Sequence, residues 1–380
     1  MAEANEEAPR KRRPSFWLRP LWWLNGLSAL VLLITYPAPH ISPDHFWPLA
    51  LLAMAYPFQV LVQAGFIVLW LLFRRKRMLL PITVLLLGYG HIADHFKLFG
   101  RQGAPQGIEV PGVKLMSWNV RLFDLYNWSG NRVTRDAIFD VLLREDADIL
   151  CLQEFFHSDD ERFFRTREPL LKDLRYRHLH EHYGHEARFG QRFGIATFSA
   201  WPVVDRGTIT FEANPNNLCI WSDIALPGDT IRVYNAHLGS YHFGDDDYKF
   251  IGELDTDTKG EELRRGGLRI LRLLRRGLRQ RAAEVERIAA HMAGSPHPVV
   301  FCGDINDVPM SYGYHMLRKD RCDAFRESGR GRGGTYVGAL PSLRIDHILH
   351  DDAIASWGFV THPEELSDHR AISCMIAPRP

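Results

Sequence analysis

The sequence predicts an α/β fold in which two packed sheets are flanked by helices, preceded by an α-helical membrane segment. Two observations carry this prediction. The apolar residues, 46% of the 380, are unevenly placed: the first hundred positions hold two long apolar runs and a shorter third, whereas the remainder alternates polar and apolar residues as a globular domain does. Beyond position 112, short apolar runs of strand length outnumber helical patterns, and many strands with few helices pack as layers. The chain therefore divides into a membrane portion at 1–99, a linker at 100–112 and a soluble domain at 113–380.

Taken in order, Leu18 to Tyr36 is nearly unbroken apolar sequence with Trp17, Trp22 and Trp23 at one end and Tyr36-Pro37 at the other. Its length approaches the roughly 20 residues of a spanning helix, and aromatic side chains favour the interface. Phe46 to Phe73 is longer, with Pro48 and Pro57 expected to kink it. Met78 to Gly90 is short for a span unless Ile92, Ala93, Phe96 and Leu98 complete it. Arg10, Lys11, Arg12 and Arg13 precede the first run and Arg74, Arg75, Lys76 and Arg77 follow the second, while the loop between them lacks Lys and Arg. The positive-inside rule puts both clusters in the cytoplasm. A multi-pass anchor with the soluble domain outside the cytoplasm follows if the third run crosses, and a cytoplasmic domain if it does not. His91, Asp94 and His95 would then be polar residues of the outer interface rather than a metal site. No small-residue cleavage site follows the first run, so a removed signal peptide is not expected.

In the soluble domain, strands are predicted at Val113 to Trp118, Asp148 to Leu152, Gly194 to Phe198, Cys219 to Ala225, Thr230 to Asn235, Val299 to Cys302, Arg344 to Leu349 and Ala371 to Ile376. Arg132 to Arg144 is an amphipathic helix with Val133, Ile138, Val141 and Leu142 on its apolar face. A second helix carries Leu271, Leu274, Leu278, Ala282, Val285 and Ile288 along one stripe, and Arg265, Arg269, Arg272, Arg276 and Arg279 along another. The arginine face is a solvated surface or a contact for lipid phosphates or a polyanionic substrate. The net charge of +1 supplies no global field for nucleic acid or membrane. Cys151, Cys219, Cys302, Cys322 and Cys374 form no CxxC or zinc spacing and are expected to be free thiols, mostly buried.

Six motifs each end an apolar run in polar residues suited to catalysis: SWNVR with Asn119 and Arg121, ILCLQE with Glu154, YNAHL with Asn235 and His237, CGDIND with Asp304 and Asn306, RIDHI with Asp346, and LSDHR with Asp368 and His369. In VVFCGDINDVP a buried strand breaks at Gly303, and the period of two puts Asp304 and Asn306 on one side. A carboxylate beside an amide suits a hydrated cation or an attacking water, although both residues also favour turns.

These motifs, in this order from about Val113 to Ile376, resemble the endonuclease/exonuclease/phosphatase family. The resemblance implies a four-layered α/β sandwich, two packed mixed sheets flanked by helices, and divalent-metal hydrolysis of a phosphate ester. Magnesium, or manganese in its place, takes oxygen ligands and keeps several waters, so few carboxylates suffice. Glu154 is the expected principal ligand, with Asn119 beside it and Asp368 completing the acidic wall. By the same resemblance, Asp304 and Asn306 position and activate water, Asp346 pairs with His369, and His237 donates on the other side of the phosphate. Asp304 and His369 share the role of base. Arg121, placed beside Asn119 by an extended strand, matches a phosphate-contacting position. Asn235 and Tyr336 are the remaining expected substrate contacts, Tyr336 within the glycine-rich loop that also holds Arg330 and Arg332.

The alcohol on the other side of the phosphate is set by loops at 157–185, 239–267 and 329–341, not by these motifs. A lipid headgroup or related phosphodiester is favoured by the anchor and the arginine helix. A nuclease and an inert binding module that keeps the fold are the alternatives. No obligate protein partner is implied.

Overall fold

The computed structural model describes residues 18–73, 75–131, 133–160, 162–212, 214–241, 260–338 and 343–380. The first arginine cluster, Trp17, Arg74, most of the insertion after Tyr241 and the end of 329–341 lie outside the described residues. Contacts divide the chain into two units, one built from the chain through Tyr36 and from Ala55–Tyr89, the other from Pro37–Met54 and Gly90–Pro380. The segments 37–54 and 90–99, assigned by sequence to the membrane portion, thus pack within the unit that contains the sheets.

The first hundred residues form α1 (Leu18–Thr35), α2 (Pro43–Met54), α3 (Tyr56–Phe73), α4 (Leu79–Leu87) and α5 (Tyr89–His95). Two helical stretches, Leu18–His40 and Tyr56–Phe73, are long and apolar enough to cross a membrane. Lys76–Leu87 with Tyr89–His95 qualifies only as a pair bent by 68°. In the first unit, Trp70 Nε1 donates to Asn25 Oδ1 (2.9 Å), Asn25 Nδ2 to Gln63 Oε1 (3.4 Å) and Thr35 Oγ1 to Gln59 Oε1 (2.9 Å). Polar groups on apolar helices are thereby satisfied between helices. Gly88, at the bend, leaves no room for a side chain, since a Cβ there would lie 2.3 Å from the Tyr36 hydroxyl.

The run Phe46–Phe73 is not one helix. It breaks at Ala55, and Phe46 is itself non-helical (φ −148°, ψ 75°). Both prolines sit in the turn that follows a break, where the missing N–H has no intrahelical partner to lose, so they start helices instead of kinking one.

The second unit holds two six-stranded sheets. The first has the order β11-β12-β1-β2-β4-β3, built from β1 (Val113–Asn119), β2 (Ile149–Ser158), β3 (His178–Ala187), β4 (Gln191–Ser199), β11 (Ile354–Thr361) and β12 (Ile372–Pro378). The second has the order β5-β6-β7-β8-β10-β9, from β5 (Val203–Thr210), β6 (Leu218–Leu226), β7 (Asp229–His237), β8 (Val299–Asp304), β9 (Arg321–Asp323) and β10 (Asp346–Asp351). Both are mixed, with β1–β2 and β7–β8 parallel and the other pairs antiparallel.

Between the sheets lies a core that includes Leu115, Ile149, Val233, Val300, Ile348 and Ile372. Outside the first sheet pack α6 (Thr134–Glu145) and α7 (Arg167–Asp173), through Ile138, Val141, Leu142 and Leu170. Outside the second pack α8 (Gly260–Ala293) and α9 (Tyr312–Arg318), through Val285, Ile288, Met292, Tyr314 and Leu317. A five-residue helix, α10 (Ala324–Ser328), follows β9. The expected four layers are present.

Details differ from the sequence-based expectation. Val133, expected on the apolar face of α6, precedes the helix and is exposed, and the stripe of α8 is buried only from Leu278 onward. The cysteines are free, with Cys322 alone partly exposed.

Candidate active site

The topology gathers the motif residues. Parallel β1 and β2 end at one edge of their sheet, as β7 and β8 do in theirs, and antiparallel β10 and β12 begin at those edges. Asn119, Glu154, His237 and Asp304 therefore sit at or near strand ends, Asp346 opens β10 in register with Asp304, and Asp368 and His369 lie just before β12.

Asp304 is the hub. Its Oδ2 accepts from Asn119 Nδ2 (3.1 Å) and lies 3.7 Å from His237 Nε2 and 3.6 Å from His369 Nε2, while Oδ1 accepts from the Asn306 backbone N–H (2.8 Å). Asn119 Nδ2 also donates to Glu154 Oε1 (3.0 Å), which is 3.5 Å from His237 Nε2. On the far side, His369 Nδ1 pairs with Asp346 Oδ2 at 2.9 Å. That bond fixes the imidazole so that Nε2 faces Asp304. Trp118 Nε1 holds the His369 carbonyl (2.9 Å), and Ser367 Oγ caps the His369 N–H (3.2 Å) while donating to the Asn119 carbonyl (2.7 Å).

Burial pushes the Asp304 carboxyl above the usual carboxylate range and the neighbouring Asp346 adds to this, although His369, His237 and the Asn306 N–H oppose it. Burial works against charge on His369 too, but the carboxylates of Asp346 and Asp304 outweigh it and hold the imidazolium form well above its ordinary range.

Local backbone sets these positions. Gly303 does not break the strand. β8 continues through it with φ +150°, and a Cβ there would lie 2.1 Å from the Ala236 carbonyl, so only glycine lets β7 and β8 approach where His237 and Asp304 leave them. Asn306 is not on an extended continuation but in a left-handed turn (φ 53°), its Nδ2 donating to the Leu238 carbonyl (2.9 Å). Glu154 is left-handed too (φ 47°), at a register shift between Leu152 and Phe155 that turns its side chain out of the pleat.

The structure alters three expected contacts. Arg121 does not share a strand face with Asn119, because β1 stops at Asn119 and Arg121–Asp124 form a left-handed turn (φ 44° to 57°). Its guanidinium stacks 4.6 Å from the Trp128 ring and reaches Asp368 at 3.5 Å, still beside the site. Asn235 is fully buried beneath it, donating to the Ala196 carbonyl (2.9 Å) and accepting from Gln153 Nε2 (2.7 Å), so it stitches the sheets together instead of facing a ligand. Tyr336 borders the site through a backbone bridge to His369, with ring centroids 6.0 Å apart.

Sequence reasoning missed Trp118, Ser367, Gln153 and Thr335. Thr335 Oγ1 accepts from the Ile345 and Asp346 N–H groups at 3.1 and 3.2 Å. The available signal was polar side chains at buried strand positions, as with Ser117 and Gln153, which hydrogen-bond each other at 3.1 Å.

A cleft of about 510 Å³ opens over Glu154 and His237, lined also by Leu122, Tyr126, His185 and Asn216. Glu154 fits a hard cation, with a side of its carboxylate open to solvent, whereas Asn119 turns Nδ2 toward Glu154 and its Oδ1 accepts from the Arg121 N–H (3.1 Å). Asp304, Asp346 and His369 also cluster tightly, but that cluster is accounted for by the His369–Asp346 bond. Among the described residues no comparable cluster joins Asp368 to Glu154.

A family model described as the endonuclease/exonuclease/phosphatase family matches residues 116–369, which include every site residue named from the motifs. The chain belongs to this family. A second model, of a domain of unknown function, matches residues 18–95. No curated protein matches the chain. Among solved structures, an endonuclease/exonuclease/phosphatase from Beutenbergia cavernae is similar at 16% identity and TM-score 0.51, over 71% of this chain and 72% of that one. The human Nocturnin catalytic domain with bound sulfate gives 18% and 0.49, over 70% and 94%. D. rerio TDP2 complexed with a single-strand DNA product gives 14% and 0.48, over 70% and 100%. Members of the family are phosphoesterase hydrolases, nucleases and phosphatases among them, that use a divalent metal.

Proposed function

We propose that the protein is a membrane-anchored, divalent-metal-dependent phosphoesterase that hydrolyses a phosphodiester or phosphomonoester by in-line attack of water, with a lipid headgroup or related ester as substrate. The observation that carries this reading is the convergence of Asp304, Asn119, Glu154, His237 and the His369–Asp346 pair at one edge of both sheets.

A magnesium or manganese ion held principally by Glu154, with Asn119 beside it, would polarise the phosphate and offset its charge. The protein's own groups supply the rest. Asp304 Oδ2, oriented by Asn119, is the acceptor for the proton of the attacking water. His369, held between two carboxylates, presents Nε2–H to a phosphoryl oxygen, and His237 does so from the opposite side. Arg121 and Tyr336 flank the entrance and are assigned to the phosphate and to the group beyond it. The anchor is multi-pass and places the catalytic unit outside the cytoplasm, opposite the arginine clusters.

The test uses the detergent-solubilised full chain with magnesium and three substrates: a sphingomyelin-type lipid, plasmid DNA and bis-nitrophenyl phosphate. Hydrolysis of the lipid above DNA is expected. Preferential cleavage of DNA would make it a nuclease, and no cleavage by folded protein an inert module. Glu154→Gln is expected to raise the magnesium needed for half activity by an order of magnitude or more, and an unchanged titration would remove Glu154 from the metal. For His369→Ala the expected rate loss is about 10²-fold or more.

A further inference from the structure

The site leaves the arginine helix without a role. α8 has 34 residues, a rod of about 50 Å. Its two halves differ. From Leu278 onward, Leu278, Ala282, Val285, Ile288 and Met292 are buried against the second sheet. Among the described residues from Glu261 to Arg276 none is buried. That first half carries most of the seven arginines between Arg264 and Arg279, and no acidic residue falls between Glu262 and Glu284. Leu268 (48% exposed) lies among the arginines on the helix surface and Leu271 (40%) beside them.

A solvated face explains the arginines but not the leucines. Exposed leucine beside arginine is the composition of a helix that lies in a membrane interface, with guanidinium groups on lipid phosphates and the apolar side chains below them. Nucleic acid would satisfy the arginines alone. A second observation also points to a bilayer. α2 packs along α8 within the catalytic unit, with Arg279 Nε on Asp44 Oδ1 at 2.5 Å. α2 is in turn followed, after Ala55 alone, by a helix long and apolar enough to cross a membrane. The chain therefore tethers the neighbour of α8 to the bilayer.

We infer that the exposed first half of α8 is a docking surface for an anionic lipid bilayer. This rests on the membrane-anchored reading but not on the catalytic one. The arginines make contact by charge, and Leu268 and Leu271 enter the headgroup boundary. Such a surface would hold the catalytic unit in one orientation over the membrane, which the tether alone does not.

The test places the full chain in nanodiscs of phosphatidylcholine with or without phosphatidylglycerol. In a Cys322→Ser background, Leu268→Cys is labelled with a bimane and the lipids carry a nitroxide quencher. Quenching is expected in the anionic discs only. It should weaken with added salt and disappear when Arg269, Arg272 and Arg276 are all changed to Glu. Equal quenching in both discs, or none in either, would overturn the proposal, as would binding of duplex DNA by these arginines with the label unquenched. Hydrolysis of bis-nitrophenyl phosphate by the same discs reports on the catalytic reading separately. The triple variant is expected to retain that hydrolysis, which also shows that it folds.

Discussion

At the scale of single residues, the unit containing the sheets buries neutral histidines that the chemistry does not use. His347 is fully buried, and its Nδ1 accepts from Arg344 Nη1 (3.0 Å), which leaves Nε2–H to face the Asp307 carbonyl (3.3 Å). Burial, aided by Arg344, depresses its pKa to about 3. Burial likewise takes His180 to about 4, with Ser222 Oγ 2.9 Å from its Nδ1. Both folded values lie below the ordinary 6.5. The unfolded chain therefore takes up protons that the folded chain refuses, so stability is complete above about 6.5 and falls as pH drops below it. Each histidine contributes roughly 1.4 kcal/mol per pH unit in that window. The thermal midpoint of the catalytic unit in the solubilised chain is expected to fall between about pH 7 and about pH 5, with a shallower dependence in His347→Gln. A midpoint that is flat over this range would show that these histidines are protonated in the fold. The contrast with His369 is one of partners, since that ring faces two carboxylates where His347 faces a guanidinium.

Elements show which parts of this fold the sequence could reveal. The eight strands predicted from apolar runs are the eight interior strands of the two sheets, and the four not predicted, β3, β5, β9 and β11, are the four edges. An interior strand is covered by neighbours and by layers on both faces, so it is written in Val, Ile, Leu and Cys. An edge strand such as β3, HLHEHYGHEA, is half open to solvent and reads as polar sequence. The site was legible for the same reason, because its residues terminate interior strands. The turns that aim them, left-handed at Glu154, Asn306 and Arg121, are tertiary features with no glycine to mark them.

The buried half of α8 was legible as a stripe, but its polar members had no reading, and they bear on catalysis. Glu284 Oε2 accepts from the Gly239 N–H (3.0 Å) and Arg281 Nη1 donates to the Gly239 carbonyl (2.9 Å), two residues beyond His237. Glu284 Oε1 also accepts from Asn217 Nδ2 (2.6 Å). Both side chains are buried, so Glu284→Ala strands donors at a cost of about 1–3 kcal/mol and frees the loop that carries His237. A several-fold fall in kcat with the magnesium titration unchanged is expected, and Glu284→Gln, which keeps one acceptor, should restore most of it. Full kcat in the alanine variant would show that α8 only supports the sheet.

For the whole molecule, the contacts within the catalytic unit bear on membrane topology. The segment 37–54 comprises the end of the first stretch that is long and apolar enough to cross and the chain between it and the second, yet it packs with residues far beyond both. Asp44 pairs with Arg279, the Tyr241 hydroxyl reaches the Met54 sulfur at 3.2 Å, and the rings of His40 and His315 stand 4.4 Å apart. On the membrane-anchored reading, residues 37–54 and 90–380 then lie on one side of the bilayer. If α3 leaves that side, the chain has to come back before Gly90, and among the described residues the stretch available to return it is Lys76–Leu87, the first arm of the bent pair, because the second arm from Gly90 onward belongs to the catalytic unit. On that reading we propose three crossings, which would put Arg75–Arg77 opposite the catalytic unit. By the positive-inside rule that proposal takes the side of the arginines as the cytoplasm and the unit as extracytoplasmic. Proteolysis of intact and permeabilised cells expressing the chain with a protease site inserted after Gly112 is the check. Cleavage in intact cells, once any outer barrier is opened, is expected, and protection until the inner membrane is breached would mean that α4–α5 turns back without crossing.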